Sequence, residues 1–310
     1  MRRWRTPVIA AALLAAADCG GFATPAAAPL ERAAAAPITV PGAGRIALVR
    51  RGDFFVAPVT IGGRAAGEFL VDTGAGVTLI DRGVADALGL PPGVGTRVQG
   101  ALFTVPAEIR ALSDLAAGGV ALVADPTVAI DLGEVSASVG SALAGIIGFP
   151  TLGTGPVTID FTAATLTIHD PERFTPPAGV RAEILRVNQV PYVEATLARA
   201  FAVWLQLDTG SLFAITLWRD FVQAHPDVLA GAPQRRVRTS GVGGDKELVQ
   251  AEVGTLHVLG RDADDVPVIV QDAPPRRWRH PRIAGRVGLG LLKDLRITMH
   301  PLARRIWIEP

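Results

Sequence analysis

The sequence predicts a mostly β protein that repeats one plan in two lobes, and three observations carry that reading. The phrases "FLVDTGAG" (69–76) and "WLQLDTGS" (204–211) each place Asp-Thr-Gly at the end of an apolar run. The two copies lie 136 residues apart, and sliding the chain on itself by that offset pairs Val56 with Tyr192, Thr60 with Thr196, Ile61 with Leu197, Phe69 with Leu205 and Val71 with Leu207 without a gap. Further on, "GIIGFPTLGTGPVTIDFTAATLTIH" (145–169) matches "GRVGLGLLKDLRITMHPLARRIWIE" (285–309). One Asp-Thr-Gly arises by chance in roughly one chain in ten of this length, whereas two in matched surroundings point to an internal repeat.

At the start, Arg2, Arg3 and Arg5 precede a short apolar stretch (7–17) and then small residues ending in Ala26-Ala27-Ala28. This pattern predicts a signal peptide over 1–28, too short to span a membrane as a helix, and hence a periplasmic or secreted protein. Cys19, the single cysteine, follows the apolar core as in an acyl-anchored lipoprotein, although Asp18 stands where a small residue is usual. Membrane contact is expected only if Cys19 is lipidated. Residues 29–44 read as a linker or short pro-segment. Cleavage after Ala28 leaves no cysteine and 27 basic against 28 acidic residues, a balance that offers no footprint for nucleic acid.

The first lobe is expected over 45–172, with strands at 46–49, 54–61, 66–71, 120–123, 157–159 and 165–168, each a short apolar or β-branched run broken by Gly or Pro. In each copy a hairpin leads into the Asp-Thr-Gly, turning at Gly62-Gly63 or at residues 198–200. A short helix is expected at 81–88, where Asp81 can accept from the free N–H groups of the first turn, and its counterpart at 217–224. The boundary falls in "HDPERFTPPAG" (169–179), rich in Pro and charge, and the second lobe covers 180–310. Two hairpins past the aspartates, "TRVQGALFTV" (96–105) with Gly100 and "RTSGVGGDKELV" (238–249) with Gly241, Gly243 and Gly244, are candidate flaps, ordinary surface hairpins being the alternative.

Asp72 and Asp208 are the candidate catalytic residues. Two Asp-Thr-Gly loops facing each other bring two carboxylates to about 3 Å, where both cannot ionise and one proton is shared. One oxygen acid is then a base for a water and the other an acid for a carbonyl, which suits amide hydrolysis without metal or cofactor. The five histidines show no ligand spacing, and "SGVGGDK" (240–246) misses the phosphate-loop pattern. The basic stretches 235–238 and 274–282 read as solvated loops.

The doubled Asp-Thr-Gly, the elements Ile146-Ile147-Gly148 and Arg286-Val287-Gly288, and the hairpin before each Asp resemble the aspartic peptidases of the pepsin and retropepsin superfamily. The resemblance covers roughly residues 45–310. It implies a bilobal acid-protease fold, two homologous β-barrel-like lobes with the active-site cleft between them. It makes Asp72 and Asp208 the catalytic pair, braced by Thr73 and Thr209, with Gly74 and Gly210 turning the loops and the Gly148 and Gly288 segments crossing behind them. The implied activity is that of an aspartic endopeptidase on a polypeptide substrate, monomeric because both half-sites lie in one chain. The alternative is a catalytically silent peptide-binding or scaffold module.

The sequence departs from pepsins in three places: no tyrosine lies on the first hairpin, Arg286 takes a usually apolar position, and Ala75 stands where Ser211 stands in the other copy. Pepsins carry a hydroxyl there in both lobes, donating to the carboxylate. With only Ser211 to donate, the first ionisation of the pair is expected to lie higher and the rate profile to centre in the mildly acidic range.

Overall fold

The computed structural model describes residues 16–17, 42–100, 102–124, 126–187, 189–241, 244–273 and 282–309. Cys19, all of the signal segment except Ala16 and Ala17, residues 29–41, Gly243 and most of the basic loop 274–282 lie outside the described residues.

The architecture is mostly β, in two lobes of one topology. In the first, the strands Phe54–Ile61, Arg64–Asp72, Leu143–Gly148, Thr78–Asp81 and Thr127–Ile130 lie side by side in that order. In the second, Val190–Leu197, Phe201–Asp208, Ile283–Gly288, Ile215–Trp218 and Arg261–Gln271 repeat it. The third strand of each series runs parallel to the strand that ends in Asp and antiparallel to the strand that leaves the Asp-Thr-Gly loop. It therefore threads between the two arms of that loop. Every residue of Leu143–Gly148 and of Ile283–Gly288 is buried, which accounts for their nearly unbroken runs of apolar and small residues.

Glycine makes the threading possible. A Cβ on Gly148 would sit 2.9 Å from the Ala75 carbonyl oxygen, and one on Gly288 would sit 2.5 Å from that of Ser211. The same two carbonyls accept from the next residue along, Phe149 N–H at 2.9 Å and Leu289 N–H at 2.7 Å. The crossing is thus pinned to the loop it passes behind, identically in both lobes.

A six-stranded antiparallel sheet joins the lobes, in the order Gly44–Ala47, Thr165–Ile168, Val157–Asp160, Arg296–His300, Arg305–Glu309 and Val180–Val187. Three strands come from each lobe. At its centre Thr158 faces Thr298, its own repeat, with the two hydroxyl oxygens 2.8 Å apart. The chain passes between lobes after Ile168 and before Val180, and on that passage Phe174 sets its ring edge-on to His169, His300 and Trp307 at centroid distances of 5.2, 5.6 and 5.8 Å.

The helix Arg82–Ala87 is capped by Asp81, whose Oδ1 accepts from Val84 N–H at 3.2 Å and whose Oδ2 accepts from Leu132 N–H at 3.1 Å. Its counterpart is Arg219–Ala224, shorter than the sequence suggested. Leu217 and Trp218 belong instead to the preceding strand, because both are buried and paired with Val270 and Gln271. The expected strand 46–49 is two strands, Gly44–Ala47 and Val49–Arg51. The helix Gly133–Val139 and the long hairpin Gly244–Val258 with Arg261–Gln271 were not anticipated. Among the described residues no helix is long and apolar enough to cross a membrane.

The paired hairpins differ at their turns. Gly62 and Gly63 take φ of 55° and 72°, and in the second lobe Ala198 and Arg199 take φ of 49° and 54°. A Cβ is strained in that left-handed region, so the second turn is the less stable one. Replacing Ala198 by Gly should stabilise the protein by about 1 kcal/mol in denaturant unfolding.

Candidate functional site

The two strands that end in Asp72 and Asp208 deliver their Asp-Thr-Gly loops to one another at the contact between lobes. Thr73 N–H donates to Thr209 Oγ1 at 3.0 Å, and Thr209 N–H donates to Thr73 Oγ1 at 3.1 Å. Each hydroxyl then donates into the opposite strand, Thr73 to the Leu207 carbonyl at 2.7 Å and Thr209 to the Val71 carbonyl at 2.8 Å. The loops continue in the same symmetry, Gly74 N–H donating to Asp72 Oδ1 at 2.7 Å and Gly210 N–H to Asp208 Oδ1 at 3.0 Å.

Each glycine also lies against the carboxylate of the other lobe. A Cβ on Gly74 would fall 2.5 Å from Asp208 Cγ, and one on Gly210 would fall 2.5 Å from Asp72 Cγ. Only glycine lets each carboxylate pack this closely against the opposite loop. Neither Asp72 nor Asp208 is exposed to solvent. Burial and the charge of Asp208 hold Asp72 well above the ordinary carboxylate range, against opposing pulls from the Gly74 N–H, the Arg286 cation and the Gly210 N–H. Burial likewise raises Asp208, to about 6, with Arg286 the main opposing influence.

Ser211 does not play the part the sequence suggested. Its hydroxyl is buried and has no hydrogen-bond partner among the described residues, while its main chain holds the crossing strand. The donor to Asp208 is Arg286, whose Nη1 lies 3.3 Å from Asp208 Oδ2. Arg286 therefore takes over the role expected of the hydroxyl, and it is this cation, not a Ser211 donor, that pulls the Asp208 carboxyl down. The guanidinium is 1% exposed and stacks over the Trp218 ring at 4.8 Å. Gln206, fully buried beside it, ties the two loops together by donating to the Gly74 carbonyl at 2.8 Å. Arg286, Gln206 and Trp218 were not singled out as site residues. An apolar-to-polar change at matched repeat positions would have marked the first two.

The candidate flaps are hairpins. Gly100 ends the strand pair Val94–Gln99 and Thr104–Arg110 and donates to the Phe103 carbonyl at 2.8 Å. Gly241 and Gly244 face each other at the end of Arg235–Gly241 and Gly244–Val258. The strand Arg235–Gly241 lies against the helix Gly133–Val139 of the first lobe, so this second hairpin spans from lobe to lobe. Among the described residues no group of His, Cys, Asp and Glu is arranged to hold a metal.

Comparison with known proteins bears on this site. Residues 57–151, which contain the first Asp-Thr-Gly and its crossing strand, match the model of the aspartyl protease family. Over those residues the chain is aspartyl-protease-like. An aspartic proteinase from Irpex lacteus has a similar solved structure, 14% identical, with a TM-score of 0.49 over 86% of this chain and 96% of that one. No curated protein matches the chain.

The raised carboxyls link stability to pH. A carboxyl held above its unfolded value binds protons more tightly when folded, so its contribution is complete at pH below the unfolded value and is lost as pH rises through the folded one. The midpoint of thermal unfolding should fall as pH rises from about 4 through about 6, and the fall should be smaller in Asp72→Asn, which removes one of the two raised carboxyls.

Proposed function

We propose that the protein is an aspartic endopeptidase in which Asp72 and Asp208 form the catalytic pair. The observation that carries this reading is the mutual approach of two fully buried carboxylates, each with the other lobe's glycine at its back. One proton serves the pair. A water held between the carboxylates loses a proton to the ionised one as its oxygen attacks the scissile carbonyl, and the protonated one donates to the carbonyl oxygen. The resulting gem-diol then returns one hydroxyl proton to the pair as the nitrogen takes another from it, the C–N bond breaks to give an acid and an amine, and the pair again holds one proton.

Thr73 and Thr209 brace the pair and Gly74 and Gly210 hold the inner oxygens, so small errors of position are suppressed at the reacting atoms. Since both carboxylates are out of solvent, a peptide reaches them only when the covering segments part. The glycine-tipped hairpins at Gly100 and at Gly241 to Gly244 are the segments proposed to move. In this reading the enzyme acts as a monomer in the periplasm or outside the cell, released by cleavage near Ala28, or anchored if Cys19 is acylated.

Two measurements test it. With a mixed peptide library as substrate, Asp72→Asn and Asp208→Asn should each lower turnover on the order of a thousandfold while circular dichroism stays native. Activity within tenfold of wild type in either variant removes the pair from the mechanism, and a wild-type chain that binds peptides without cutting them favours the silent module. Turnover should also be unchanged by EDTA, and loss restored by added metal would point to a metallopeptidase instead.

A further inference from the structure

We propose that Arg286 breaks the symmetry of the carboxylate pair, holding Asp208 as the ionised member and leaving the proton on Asp72. The proposal rests on the peptidase reading only for what the two roles accomplish.

The two lobes can be compared residue by residue across their sheets. In the first, a row of register partners behind the loop reads Val56, Leu70, Ile146, Leu79 and Val128, all apolar and all buried. The same row in the second lobe reads Tyr192, Gln206, Arg286, Thr216 and Ile269. Four apolar positions have become polar in one lobe alone. The consequence at the loops is that Asp208 Oδ2 receives a guanidinium N–H at 3.3 Å, whereas Asp72 Oδ2 has no hydrogen-bond partner among the described residues.

Charge counting gives the same direction. The groups facing Arg286 are Asp208 and Gln206 from its parallel neighbour, Tyr192 from the strand beyond, Thr216 and Trp218 from its antiparallel neighbour, and Asp72 from the other lobe. Burial pushes the Tyr192 hydroxyl up, so it stays neutral where a carboxyl titrates. That leaves one buried cation and two carboxyls. The cluster is electrically neutral when the pair holds one proton, and carries a net buried charge when it holds two or none. Arg286 thus stabilises the singly protonated state that the chemistry needs, and its contact selects Asp208 as the ionised partner. In the hydrolytic step Asp208 takes the water's proton and Asp72 gives its own to the carbonyl oxygen. Arg286 is a positioning residue, acting through Asp208.

The test follows the carboxyls directly and needs no turnover. In the full chain labelled with ¹³C at Asp Cγ, Asp72→Asn and Asp208→Asn assign the two signals, which are then titrated. Asp208 should ionise first in the wild type. Arg286→Leu should raise its midpoint by at least about one pH unit and narrow the difference between the two carboxyls, and Arg286→Lys should keep the wild-type order. If Arg286→Leu does not fold, the wild-type order and the Lys variant decide. Asp72 ionising first in the wild type, or a midpoint unmoved in a folded Arg286→Leu, overturns the proposal. A wild-type chain that shows the expected order but cuts no peptide leaves this inference standing and sinks the peptidase reading. In an active enzyme the acidic limb of the rate profile should move to higher pH in Arg286→Leu and return toward wild type in Arg286→Lys.

Discussion

Two threonines hold the centre of this molecule together by exchanging hydrogen bonds with each other's main chain. Thr73 and Thr209 each accept one bond from the opposite backbone and donate one to it, and both side chains are buried. Deleting either hydroxyl would leave a buried N–H and a buried carbonyl in the other lobe without partners, a cost of about 1–3 kcal/mol for each group. The arrangement sets the separation of the lobes at the one place where an error of an ångström would matter. The glycines that follow then define how near each carboxylate comes to the other.

The same centre concentrates groups that are costly to bury. Two carboxyls, a guanidinium and an amide sit where almost no solvent reaches. The cation is tolerated because its head meets Asp208 while its face lies on the Trp218 ring, two contacts that replace part of its lost hydration. Elsewhere apolar side chains from both lobes and the joining sheet form one large core, with a smaller cluster of Val190, Tyr192, Trp204, Trp218 and Ile283 apart from it. Polar groups are also buried on the axis between the lobes, where Thr158 meets Thr298, and at Arg110, which is bonded to Asp86 and Glu108.

Much of this could be read from residue order because it depends on local rules. The repeated Asp-Thr-Gly, the hairpin before it and the apolar run ending in Gly148 or Gly288 each show their geometry in a few consecutive residues. Asp81 announced a helix for the same reason. What could not be read depends on pairing between distant segments. The strands Val157–Asp160 and Thr165–Ile168 look like members of the first lobe, yet they pair into a sheet shared with the second. Trp218 resembles the start of a helix until its parallel partner Gln271 is known. Ser211 has the right residue type in the right place, but its hydroxyl has no partner among the described residues, and Arg286, 78 residues away from Asp208, reaches the carboxylate in its stead. A residue's neighbours across a sheet are set by register, which a one-dimensional reading supplies only when two repeats are compared position by position.

The contacts of Thr73 with Thr209 and of Thr158 with Thr298 join residues to their own counterparts, which is possible only on a two-fold axis. Two identical copies of one lobe, associated about such an axis, would have to carry every substitution twice. An arginine at the crossing would then appear on both sides and face both aspartates, placing two cations where there is room in charge for one. Joining the halves in a single chain removes that restriction. Ile146 and Arg286 can differ, and a symmetric frame can hold a centre whose two sides are chemically unlike.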